Sequence, residues 1–77
     1  MLSAYVLIHT EAGKAGQVAE AIGDIDGVQR AEDVAGPYDV IARVQALGMD
    51  ELGRLVVARI QAVDGVTRTL TCTMIRR

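Results

Sequence analysis

Hydrophobic and polar positions along this chain change period several times, and the changes mark out its elements. Ser3 to Thr10 is rich in apolar and β-branched residues and too short for a lone helix, which predicts a strand. Glu11-Ala12-Gly13 breaks it. From Lys14 to Ile25 the apolar residues fall at Ala15, Val18, Ala19, Ile22 and Ile25, one face of a helix, with Lys14, Gln17, Glu20 and Asp24 outside. Asp26-Gly27 ends that helix, because glycine tolerates the left-handed cap conformation. Val28 to Ala35 reads as a second strand, and Gly36-Pro37 turns the chain. Tyr38 to Ala46 reads as a third strand. Gly48-Met49-Asp50 opens a second helix, buried along Leu52, Leu55, Val56, Ile60 and Val63, and Asp64-Gly65 stops it. Val66 to Ile75 is the last strand.

The two halves repeat one another. Ile22-Gly23-Asp24-Ile25-Asp26-Gly27-Val28-Gln29-Arg30 and Ile60-Gln61-Ala62-Val63-Asp64-Gly65-Val66-Thr67-Arg68 share the pattern I-x-x-[I/V]-D-G-V-x-R, half a chain apart. Each half is strand, helix, strand. Together they give an α+β fold, a ferredoxin-like βαββαβ sandwich spanning residues 1–77 as one domain. Its four-stranded antiparallel sheet carries both helices on one face. The other face is left bare for a second subunit. In the last strand Thr67, Thr69, Thr71, Thr73 and Ile75 alternate with Arg68, Leu70, Cys72 and Met74. The more apolar row is assigned to the helices and the threonine row to the bare face.

Size makes the second subunit more than an ornament. With 77 residues the core is small, and such chains usually add a disulfide, a metal or a partner copy. One cysteine, Cys72, forms no internal disulfide, and with one histidine, His9, it falls short of a zinc cage. Oligomerisation remains. Eight basic against ten acidic residues argue against direct nucleic-acid binding. No apolar run reaches the length of a membrane span, and Met1-Leu2-Ser3-Ala4-Tyr5 lacks a basic signal-peptide start. A cytoplasmic protein with a reduced Cys72 is expected.

The chain is poor in reactive groups. His9 reads as a sheet-face histidine bonded to a neighbour, Cys72 as a small buried thiol, and Gly13-Lys14-Ala15-Gly16 as a loop with a solvated lysine rather than a phosphate loop. The acids Asp24, Asp26, Asp50, Glu51 and Asp64 sit at helix ends, where capping explains them. No catalytic residue, cofactor or metal is expected, and the chain is not read as an enzyme. One segment differs: Val34-Ala35-Gly36-Pro37-Tyr38-Asp39-Val40 places a carboxylate beside one of only two aromatics and next to a glycine. A carboxylate can hold an ammonium group, and open backbone amides can hold a carboxylate. These are the two ends of an α-amino acid. The same segment also reads as a plain turn, with Asp39 bonding local amides and Tyr38 packed over it.

Gly36-Pro37-Tyr38-Asp39-Val40-Ile41, then Asp50-Glu51-Leu52, then Gly65-Val66-Thr67-Arg68-Thr69-Leu70-Thr71 resemble the ligand-binding domain of the Lrp/AsnC (feast/famine) regulators, also called the RAM domain. Ala4-Tyr5-Val6-Leu7-Ile8 and the Gly27-Val28 junction fit too. The resemblance implies the same βαββαβ fold, homodimers formed sheet to sheet, and rings of dimers, commonly octamers or decamers. It implies a small effector, typically an amino acid, bound at Gly36, Tyr38, Asp39, Thr69 and Thr71. Asp39 would hold the ammonium, backbone around Gly36 the carboxylate, and the threonine hydroxyls would orient the ligand. Pro37 removes one backbone donor from that loop. Full-length regulators carry a helix-turn-helix domain, for which the residues before the first strand leave no room. The resemblance is therefore to the stand-alone form, which senses an amino acid itself or co-assembles with a full-length regulator and modulates transcription through it. The alternatives are a structural oligomerisation protein with a vestigial pocket, and an amino-acid sensor of the ACT type.

Overall fold

A computed structural model of the chain describes residues 1–75; residues 76 and 77 of the single domain read from the sequence lie outside the described residues. The element order is β1 (Leu2–Thr10), α1 (Ala15–Gly23), β2 (Val28–Asp33), β3 (Val40–Ala46), α2 (Met49–Arg54) and β4 (Val66–Thr73). A π-helical stretch, Leu55–Ile60, continues α2. The strands form one antiparallel sheet in the order β2-β3-β1-β4. This is the βαββαβ, ferredoxin-like arrangement that the repeat predicts.

Strand alternation builds the core. Ala4, Val6 and Ile8 of β1 and Val40, Ala42, Val44 and Ala46 of β3 are buried in one cluster with Val18, Ala19 and Ile22 of α1 and Leu52, Leu55, Val56 and Ile60 of the second helix. Both helices therefore cover the same sheet face. The buried stripe of each helix follows the apolar spacing in the sequence, while Ala15 and Val63 are only partly buried.

Element ends differ from the sequence reading in ways with local causes. α1 stops at Gly23, but Ile25 remains buried because the chain keeps turning through bonds from the Ile25 amide to the Ile22 carbonyl and from the Val28 amide to the Ile25 carbonyl. Gly27 and Gly65, the two repeat glycines, have φ of 95° and 99°. Only glycine takes that conformation without strain. The second helix contains a π-helical stretch that apolar spacing gives no sign of; the Gln61 amide donates to the Val56 carbonyl, five residues back. β2 ends at Asp33 and β3 starts at Val40, so Val34, Ala35, Tyr38 and Asp39 lie in a loop rather than in strands.

The two faces of β4 are the reverse of the sequence assignment. Thr69, Thr71 and Thr73 stand opposite Ile8, Val6 and Ala4, on the helix face. Leu70 and Cys72 stand opposite Leu7 and Tyr5, on the bare face. Cys72 is accordingly exposed, not buried. The reason is position: β4 is an edge strand, where the helix layer thins, so threonines suffice beneath it. The more apolar row belongs to a face that no described element covers. No helix among the described residues is long and apolar enough to cross a membrane.

Candidate functional site

The loop between β2 and β3 is anchored at its base and open at its tip. The Val34 amide donates to the Asp39 carbonyl at 2.9 Å, and the Asp39 amide donates to the Ile8 carbonyl at 2.9 Å. The β1–β3 ladder ends at Ile8 opposite Val40. Past that end the Asp39 side chain takes over, its Oδ2 accepting the Thr10 amide at 2.8 Å. Asp39 thus has the local amide bond that a plain turn would give it. A carboxylate accepts more than one hydrogen bond, and Oδ1 receives none among the described residues.

Around that carboxylate sit one imidazole and one phenol. His9 Nδ1 lies 3.9 Å from Asp39 Oδ2, and the His9 ring meets the Tyr38 ring at 4.6 Å between centroids, tilted by 32°. The side chains of His9 and Asp39 are 37% and 41% exposed, so the group is reachable from solvent. His9 lies on the sheet face as expected, but its side chain makes no hydrogen bond among the described residues; the nearest carboxylate oxygen is at 3.9 Å. Its neighbours, Asp39 and Tyr38, come from the loop.

Gly36 is exposed at the tip of the loop. Its φ is not positive, and beyond its two chain neighbours no atom of the described residues lies within 4 Å of where a Cβ would stand. Nothing among the described residues requires glycine there. What the missing side chain leaves free is the approach of another molecule to the backbone.

Thr69 and Thr71 do not join this group. They lie on the helix face, whereas His9, opposite Arg68 in the β1–β4 register, faces the bare side. The Thr69 hydroxyl accepts a bond from Gln61 Nε2 at 2.9 Å, beside a cavity of about 390 Å³ lined by Gln61, Val66, Thr67, Arg68 and Thr69. The protomer therefore brings Gly36, Tyr38 and Asp39 together and keeps the threonines apart from them. Sequence reasoning passed over His9 and Gln61 as site neighbours. The period-two pattern of β1 could have flagged His9, but Gln61 carries no comparable signal.

Two further features lie outside this group. Lys14 bridges the turn before α1 and the turn before β4, with Nζ 3.2 Å from Glu11 and 3.5 Å from Asp64. The Glu11 hydrogen bond, and then the Asp64 charge, raise its pKa above the ordinary 10.5. On the bare face Tyr5, Leu7, Ile41 and Leu70 are at least partly exposed, and the Arg43 guanidinium lies 5.8 Å over the Tyr5 ring. Among the described residues no three His, Cys, Asp or Glu side chains gather to hold a metal ion.

Comparison with known proteins adds to this geometry. The family model described as the Lrp/AsnC ligand binding domain matches residues 3–77. An uncharacterized HTH-type transcriptional regulator of Pyrococcus furiosus is 36% identical over 55 residues, 71% of this chain and 37% of that protein. The chain thus spans little more than a third of the length of the curated regulators it matches. The crystal structure of TTHA0845 from Thermus thermophilus superposes with a TM-score of 0.92 at 34% identity, covering all of this chain and 96% of that one. A transcriptional regulator from Neisseria meningitidis, solved as an L-Met complex, has a TM-score of 0.84 at 16% identity and covers 97% of this chain and 50% of that one. At that identity the likeness speaks to the fold.

Proposed function

The chain belongs to the Lrp/AsnC ligand-binding domain family, and from that premise we propose that it is a self-assembling regulatory module that binds a free amino acid. The observation that carries this reading is Asp39: a half-exposed carboxylate fixed by one oxygen to the Thr10 amide, with the other oxygen unused beside an open glycine loop. The ligand ammonium sits on Asp39 Oδ1. Its carboxylate meets backbone amides around Gly36, and Tyr38 walls the site. Pro37 supplies no donor, so the contacts come from its neighbours. The L-Met complex of the Neisseria regulator supports an amino acid as the ligand class.

Thr69 and Thr71 enter the site only from another subunit, since within one protomer they lie on the opposite face of the sheet from His9. The bare face, with Tyr5, Leu7, Ile41 and Leu70, packs against the same face of a second copy, and dimers close into a ring of octamer or decamer size. Such a module senses an amino acid through its own assembly, or joins a full-length Lrp/AsnC regulator and alters its response. It performs no chemistry on the ligand.

Calorimetric titration with the twenty amino acids tests this. A selective, saturable heat in the parent and its loss in Asp39→Ala, with an unchanged circular dichroism spectrum, are expected. Equal affinity in the Asp39→Ala protein would remove the ammonium role. Absence of binding by all twenty in an assembled parent would point instead to a purely structural oligomerisation protein.

A further inference from the structure

Among the described arginines on the bare face, Arg68 alone has neither an ion pair, a hydrogen bond nor a ring contact. Arg30 pairs with Glu32 at 2.9 Å, and Arg43 donates to Gln29 at 2.9 Å and lies over Tyr5. The Arg68 side chain has no ion pair or hydrogen bond among the described residues. In the β1–β4 register Arg68 is the residue directly opposite His9, so both stand on the same face. On the other side of His9, Asp39 holds the Ile8 carbonyl with its amide and the Thr10 amide with its carboxylate. One corner of the sheet therefore reads, strand by strand, carboxylate, imidazole, guanidinium.

We propose that Arg68 is a specificity-determining residue that, with His9, selects an amino acid whose side chain is itself a carboxylate: the effector class is acidic, aspartate or glutamate. This rests on the amino-acid reading above. The α-ammonium occupies Asp39 Oδ1 and the α-carboxylate turns to the Gly36 loop, away from the sheet. The side chain is left to run over His9 toward β4. The Asp39 carboxylate already leans onto β1, and Arg68 lies one strand beyond His9, about 4.8 Å across the sheet. A carboxylate one or two methylenes from the α-carbon is short enough to stay over that corner, with a charge-assisted hydrogen bond at each end. The short Asp39 and the long, jointed Arg68 stem allow the final fit. An apolar side chain laid across the same corner would meet an imidazole and an unpaired guanidinium and gain nothing from either.

The test is calorimetric titration of the full chain with L-aspartate, L-glutamate, L-glutamine, L-leucine and L-methionine, in the parent and in Arg68→Gln and Arg68→Lys. In the parent the two acids are expected to bind tightest. Arg68→Gln should weaken L-aspartate and L-glutamate about tenfold while L-leucine stays within about twofold. Arg68→Lys keeps the charge and should retain most of the preference. An apolar amino acid binding the parent as tightly as the acids would overturn the proposal. So would an Arg68→Gln protein that loses all five equally, which marks a structural arginine. If no amino acid binds the parent at all, the amino-acid reading falls, and that outcome is distinct from either of these.

Discussion

Asp39 ties its loop to the fold with one oxygen, and the other, which accepts no hydrogen bond among the described residues, is the one proposed to meet a ligand. Gly36 has no such tie: its φ is not positive and it has no crowding neighbour among the described residues, so its proposed part is toward the ligand alone. Gly36→Ala should therefore change stability by less than about 0.5 kcal/mol, as an ordinary surface substitution does. Effector affinity should fall about tenfold, because a methyl group stands where the ligand approaches the backbone. Melting and titration of the same sample decide it. A variant that melts like the parent and binds like it would show that the loop backbone is not used. The loop motif was legible in the sequence because Gly36, Tyr38 and Asp39 are close neighbours in the chain. His9 was not legible as part of the site, because its meeting with Asp39 and Tyr38 depends on where β1 ends. The threonine row departs from the sequence expectation for a physical reason. Polarity predicts exposure, but at a thin sheet edge threonine fits under the helix layer, while Leu70 stands half exposed on the bare face.

At the scale of elements the repeat did most of the work. Two Asp-Gly helix stops half a chain apart fix two strand–helix–strand units, and both glycines are found at positive φ. The π-helical stretch after α2 was invisible, since Leu52, Leu55, Val56 and Ile60 satisfy a helical stripe with or without it. The turn before α1 and the turn before β4 are tied by Lys14, which joins Glu11 and Asp64. Its raised pKa gives this tie a defined pH window. A lysine whose folded pKa exceeds its unfolded value stabilises fully below the unfolded value near 10.5 and loses that contribution as pH rises through the folded one. The parent should therefore melt above Lys14→Met at pH 7, and the gap should close in strongly alkaline solution. The contribution is small, as for any exposed pair. A gap that persists unchanged at high pH would assign it to the packing of the lysine stem, not to its charge.

For the whole molecule, a chain of 77 residues with a single thin core leaves one sheet face carrying Tyr5, Leu7, Ile41 and Leu70 without cover. That face is what assembly would bury, and assembly is what would bring Thr69 and Thr71 of one copy to the Asp39 loop of another. Both claims meet in a single measurement: light-scattering mass and amino-acid titration of Leu70→Lys beside the parent. Leu70 is half exposed and stands opposite Leu7, so its replacement leaves the core untouched while placing a charge in the proposed interface. The expected result is a folded monomer of about 8.2 kDa that no longer binds the amino acid the parent binds. A variant of unchanged mass would contradict sheet-to-sheet assembly, and a folded monomer with full affinity would contradict a site built between subunits.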